Sequence, residues 1–308
     1  MALNAAAGYP QYSGTIVPNL LWAGKLLIKF YAATVLAAIS NTDYEGEISK
    51  QGDTVRIRTT PTVTIRDYSK GQTLTAESPT PTTVDLQITK GKYWNFVADD
   101  VDKFQSDIAF IEDWTRDASE QLKIAIDRDV LGVVYSSVAA ANQGATAGAI
   151  SAAYNMGVSG TPVAIDKTNV VDFITDMASV LSEQNVPEDS ERFVVIPGWM
   201  KNLLQKSDLK NAMLTGDSVS PMRNGRIGEI AEMTVYSSNL LATTVDGSYT
   251  CTNIIAGHRS GLTFASQLLE NESLRAESTF GTLFRGLQVY GYKVVKPESM
   301  VWGYVRKG

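Results

Sequence analysis

Side chains that could do chemistry are few and scattered in this chain. The single histidine, His258, stands in the run GHRSG. An imidazole can pass a proton near neutral pH, but it needs a carboxylate to orient it and a nucleophile beside it. The run resembles a nucleophile elbow only loosely, because that turn requires Ser at its centre and Arg259 stands there. His258 therefore reads as a turn residue between a strand and a helix. The single cysteine, Cys251, falls in a predicted hairpin arm with no cation nearby to activate it. One thiol forms no intrachain disulfide and no thiolate-rich metal site. Asp127 and Asp129 sit two apart on a predicted helix, so their carboxylates diverge and read as a solvated face rather than a metal pair. There is no GxxxxGK[ST] or GxGxxG run, and Gly225 and Gly228 of NGRIGEI are too few for a phosphate loop. No catalytic, cofactor-binding or metal-binding residue emerges. An α/β enzyme with an unfamiliar site stays open as an alternative.

Composition narrows the class further. The chain has 308 residues, of which 44% are apolar and 19% charged, the balance of a folded globular protein. A net charge of −6 gives no global basic field for gripping nucleic acid. The opening residues lack the pattern of a secretion signal, so the Asn271-Glu272-Ser273 sequon reads as chance. Residues 20–39, LLWAGKLLIKFYAATVLAAI, are long enough to span a bilayer. Lys25 and Lys29, however, share one helical face near the middle, where each charge would cost roughly 2.5–3.5 kcal/mol in lipid. An amphipathic helix packed on protein is expected, with no membrane partner.

With little chemistry to position, the elements themselves become informative. Residues 1–18 lack periodicity and read as an extended arm ordered by a neighbour. In GDTVRIRTTPTVTIRDY, residues 52–68, Val55, Ile57, Val63 and Ile65 alternate with Arg56, Arg58, Thr64 and Arg66. TTVDLQIT, residues 82–89, alternates likewise. Period-two alternation with β-branched residues predicts two strands, here a long hairpin with the polar tip 67–81. An isolated ribbon is marginal in water, so its apolar stripe needs a partner, in the same chain or another. KYWNFV, residues 92–97, is aromatic and leads onward. Between Asp99 and about Ala140 apolar residues recur every three, four or seven positions, predicting one long helix capped at Asp99 or Asp100, about 60 Å if unbroken at Gly132. Residues 139–166 read as loop with a short strand pair. Helix (from Lys167), strand (192–197) and helix (198–207) follow. Strands are expected over 227–236, around the Asp246-Gly247 turn, and over 254–257. A helix is expected over 262–269, and strand over 283–305, broken near Pro297.

This order of elements resembles the major capsid proteins of tailed bacteriophages, the HK97-like fold. The residues carrying the resemblance are GDTVRIRTTP and TTVDLQITKGKY of the hairpin, DDVDKFQSDIAFIEDWTRDASEQL of the helix, and the ending FRGLQVYGYKVVKPESMVWGYV. The P22 coat protein is the nearer relative that it suggests. The resemblance implies an α+β fold: an N-terminal arm with an amphipathic helix (1–45), an extended hairpin, the E-loop, laid over a neighbouring subunit (46–95), a peripheral P-domain of spine helix and C-terminal strands (96–144 and 269–308), and an α/β axial A-domain (145–268). It implies an icosahedral, self-assembling shell around double-stranded DNA, assembled in the bacterial host cytoplasm. It also implies a separate scaffolding protein, a portal protein and decoration proteins as partners, and non-specific contact with the packaged DNA. Arg56, Arg58, Arg66 and Lys70 are the expected contacts between subunits. An encapsulin-like compartment, which shares the fold but encloses protein cargo, is the alternative.

Overall fold

The computed structural model of the protein describes residues 31–32, 34–43, 54–61, 63–100, 110–207, 228–277 and 279–308. The extended arm 1–18, and most of the helix expected over 20–39, lie outside them. Within the described part that helix is confined to α1, Leu36–Ile39.

Seven strands form the larger sheet. They are β4 (Val163–Ile165), β5 (Arg192–Ile196), β6 (Glu229–Ile230), β7 (Met233–Ser237), β8 (Thr243–Asp246), β9 (Tyr249–His258) and β12 (Met300–Lys307), in the order β4-β12-β9-β5-β7-β6 with β8 paired to β9. All five residues of β5, RFVVI, are buried, as expected for a strand covered on both faces. Val194 and Ile196 face α3 (Val170–Glu183) and α4 (Gly198–Lys206), meeting Phe173, Ile174, Met177 and Leu204. Phe193 and Val195 face the other way, into a core shared with α1 and with α2 (Phe110–Leu131). The result is helix, sheet and helix in three layers.

A smaller sheet runs β10-β11-β3, built from β10 (Leu262–Arg275), β11 (Gly281–Val294) and β3 (Lys90–Asp99). One face lies on α2. There Phe96 stacks on Trp94 and Phe284 at 5.5 and 5.4 Å and meets the edge of Trp114 at 5.6 Å. The third unit is a two-stranded ribbon, β1 (Thr54–Arg58) antiparallel to β2 (Thr83–Gln87).

Several expectations need correction. The long helix ends at Leu131, where Gly132 closes the last turn by donating to the Arg128 carbonyl at 2.9 Å. Asp99, expected as its cap, is the last residue of β3 and pairs with Gly281. KYWNFV lies within β3. The helix expected over 262–269 is the first half of β10, because thirteen residues of β11 pair along it from Leu262↔Val294 to Arg275↔Thr282. That ladder overrides the three-and-four spacing of Leu262, Ala265, Leu268 and Leu269. The segment 269–308 does not stay together: β11 completes the smaller sheet, whereas β12 lies between β4 and β9 in the larger one. The hairpin at Asp246-Gly247 and the break at Pro297 are as expected.

Candidate intersubunit surface

The ribbon begins as a regular pair of strands and continues as a side-chain-pinned loop. Arg56 lies opposite Asp85 in register, and its Nε and Nη2 donate to that carboxylate at 2.9 and 3.2 Å. This hydrogen-bonded pair raises the Arg56 pKa and lowers that of Asp85. Beyond the strands, the Thr59 amide and hydroxyl both donate to the Thr82 carbonyl at 2.9 Å. Further out, Glu77 accepts from the Thr64 amide at 2.6 Å and from Arg66 at 3.4 Å. At the tip, the Gln72 amide donates to the Ser69 carbonyl at 3.0 Å and Gly71 takes φ +86°, a conformation open to glycine at no steric cost. These rungs hold two long arms side by side where no β-ladder exists.

The four residues expected to reach a neighbour therefore divide into two pairs. Arg56 and Arg66 already have partners in their own chain. Arg58 and Lys70 are exposed and form no ion pair among the described residues. The four do not cluster; they are strung along the ribbon. The apolar stripe expected beside them is uncovered at Val63 and Ile65, and Tyr68 and Leu74, which the alternation did not include, extend it. Ile65 is 90% exposed, Leu74 76%, Tyr68 66% and Val63 55%, so the ribbon carries a run of uncovered apolar side chains. Scattered exposed apolar residues are ordinary, but a contiguous set marks an interaction site.

At its base the ribbon is anchored. Ile57, Leu86 and Ile88 are buried against Ala265, with Val55, Val289 and Val295 around them. Only Ile88 and Thr89 separate β2 from β3, so the ribbon feeds directly into the smaller sheet. The rest of that sheet face is open. Tyr93 and Leu287 are opposite one another and exposed, and the exposed Val97 and Leu274 flank Leu283 on either side. Between these rows Arg285 donates to Glu272 at 2.7 Å. A concavity of about 410 Å³ lies here, beside Tyr93, Trp94, Glu270 and Leu287.

Two aspartates expected on a solvated face of α2 are instead structural. Asp127 is 4% exposed and accepts the Val35 and Leu36 amides at 2.6 and 3.3 Å, satisfying donors at the start of α1. Burial raises its pKa, against the lowering effect of those two bonds. Asp129 accepts from Lys90 at 2.8 Å and from the Tyr290 hydroxyl at 3.0 Å. Partial burial alone would lower the Lys90 pKa, but its bonds to Asp129 and Tyr292 outweigh this and raise it. These contacts tie α2 to β3, β11 and the N-terminal segment. His258 ends β9 with Nε2 3.1 Å from Asp189 and Nδ1 accepting the Ser260 amide at 3.2 Å. That amide occupies the lone pair a general base would use, and the ring is buried as a turn anchor. Among the described residues no group of three metal-ligating side chains gathers, and no helix is long and apolar enough to cross a membrane.

The family model described as phage capsid protein matches residues 80–303, most of the chain. The chain belongs to the phage capsid protein family. A solved structure from Mycobacterium phage Che8 is 29% identical, with a TM-score of 0.77 over 94% of this chain and 97% of that one. The capsid of the cyanophage P-SCSP1u shares the fold at 16% identity, with a TM-score of 0.71 over 94% and 93% of the two chains. The capsid of a native GTA particle does so at 12% identity and 0.66, over 99% of each. No curated protein sequence matches. The α+β architecture is thus the HK97-like fold of tailed-phage capsids, and the protein is a major capsid protein, a structural subunit of a phage shell. In this capsid protein the polar residues of α2 tie it to β3, β11 and the N-terminal segment, and the ribbon and the smaller sheet carry exposed apolar side chains.

Proposed function

We propose that the ribbon, with the sequence 46–95 around it, is the E-loop of the capsid protein and lies over a neighbouring subunit. The observation that carries this reading is the uncovered apolar run Val63, Ile65, Tyr68 and Leu74 on an arm whose rungs are satisfied internally. Fixed intrachain pairing of Arg56 and Arg66 keeps the arm straight. Arg58 and Lys70 keep their charge for a neighbour's carboxylates. Each exposed pair is worth about 0–1 kcal/mol, so strength comes from repetition around a closed shell. Residues 1–45 act as the N-terminal arm. The smaller sheet and α2 form the peripheral P-domain, and the larger sheet with α3 and α4 forms the axial A-domain, to which β12 is added.

In this reading the subunit has no turnover. It assembles with a separate scaffolding protein and a portal protein in the host cytoplasm, accepts decoration proteins, and meets packaged double-stranded DNA weakly and without sequence preference, as its acidic balance requires. Deleting residues 67–81 tests the arm. The subunit should keep its circular dichroism spectrum and its melting transition while shells fail to form with scaffold supplied. Normal shells in electron micrographs of that variant would refute the inter-subunit role.

A further inference from the structure

The direction in which the ribbon leaves the subunit is set at one point. On the sheet face that receives it, Gly291 pairs directly with Ala265, so a glycine of β11 lies beside the one alanine of β10. They form a notch. The backbone of Gln87, the last residue of β2, sits in it. A Cβ placed on Gly291 would come within 2.2 Å of the Gln87 carbonyl oxygen, 2.9 Å of its carbon and 3.1 Å of the Ile88 Cα. All three neighbours are backbone, so no side chain can swing aside to relieve the clash. The φ of Gly291 is not in the left-handed region, so the position needs glycine for space alone. Ala265 is fully buried, and Leu86 and Ile88 pack on either side of the contact.

We propose that Gly291 is the positioning residue of the capsid protein's assembly arm: its missing side chain admits the Gln87 backbone and thereby fixes the angle of the ribbon to the P-domain sheet. The inference rests on the reading of the ribbon as an arm that contacts a neighbour. A Cβ at Gly291 must displace the ribbon base by about 1 Å to reach a normal contact. From Gln87 to Gly71 the chain runs 16 residues (87 − 71), about 50 Å if extended at ~3.3 Å each. A base turned about an anchor some 10 Å wide carries such a tip through about 5 Å. Subunits whose arms point differently close at a different radius, so this residue selects the geometry of the shell.

The test measures arm direction and shell geometry separately. Lys70→Cys at the tip and Thr175→Cys on α3 carry spin labels, with the buried Cys251 left unlabelled. In the unassembled full chain, Gly291→Ala should shift the tip-to-body distance by about 5 Å. Its melting temperature should stay within a few degrees of the parent. Shells grown from unlabelled Gly291→Ala with scaffold should be mixed or altered in diameter by electron microscopy. Gly91→Ala, whose added Cβ meets nothing closer than 3.9 Å, should leave both readouts unchanged. Should Gly291→Ala fail to fold, Ala265→Gly widens the same notch and should broaden the distance distribution. An unchanged distance in the folded variants, or shells of parental diameter despite a shifted arm, overturns the proposal. Normal shells after deletion of 67–81 would instead remove the arm's role in assembly, and the label distances would still report whether Gly291 sets its direction.

Discussion

At the scale of residues, the chemistry of this chain is spent on anchoring. Asp127 shows how. It is buried with two backbone amides as its bonded partners. Its pKa is raised in the folded state, so the fold binds this proton more tightly than the unfolded chain does. Stability from this group is therefore full below the ordinary carboxylate pKa near 4 and declines as pH rises through the higher folded value. Asp127→Asn keeps an oxygen for both amides and removes the buried charge. It should unfold in urea at pH 7 within about 1 kcal/mol of the parent, or above it, with a flatter pH dependence above pH 4. Asp127→Ala strands both amides and should lose about 1–3 kcal/mol below pH 4, a deficit that narrows as pH rises through the folded pKa of Asp127. Equal losses in the two variants would show that the charge, not the acceptor, is what matters. None of this was legible in the sequence. Two aspartates on a helix look solvated until the segment that needs them is folded against that helix.

At the scale of elements, legibility followed the range of the interaction. Alternation of Val55 and Ile57 with arginines identified β1, and Val84 and Leu86 identified β2, because a two-residue period is a local property. The three-and-four spacing of Val170, Ile174, Met177 and Leu181 likewise identified α3. Where partners lie far apart in sequence, local reading failed. Leu262 to Leu269 carries helical spacing, yet its ladder to β11 makes it strand. The end of α2 at Leu131 was visible only as Gly132, whose effect depends on the turn that follows. Of the surface, the arginines were legible, but their division into satisfied and free was not, since Asp85 and Glu77 reach them across the ribbon. The anchored base makes a further prediction. Leu86 is fully buried, and Leu86→Ala should cost about 2–5 kcal/mol of local packing. Because its cluster is separate from the two main cores, the loss should appear as local opening. Limited proteolysis within 54–87 should quicken several-fold while the global melting transition moves little. A cooperative loss of the whole fold would instead place the ribbon base inside the main core.

At the scale of the molecule, β12 is the element on which the larger sheet depends. It lies between β4 and β9, pairing with Val163–Ile165 on one side and with Cys251–Gly257 on the other. Val301 and Val305 enter the core beneath α3, and Met300 enters the opposite one. Removing residues 300–308 should abolish the cooperative thermal transition seen by circular dichroism, whereas deletion of 67–81 should leave it in place. Survival of that transition would mean that the sheet closes without its inner strand. The same dependence has a consequence in time. β3 waits for β11, nearly two hundred residues downstream, and β4 and β9 wait for β12. Contacts of such separation form slowly and late. A ribosome-bound chain that has not yet produced residues 281–307 has neither finished sheet, so both cores of the subunit close only once its last strand has been made.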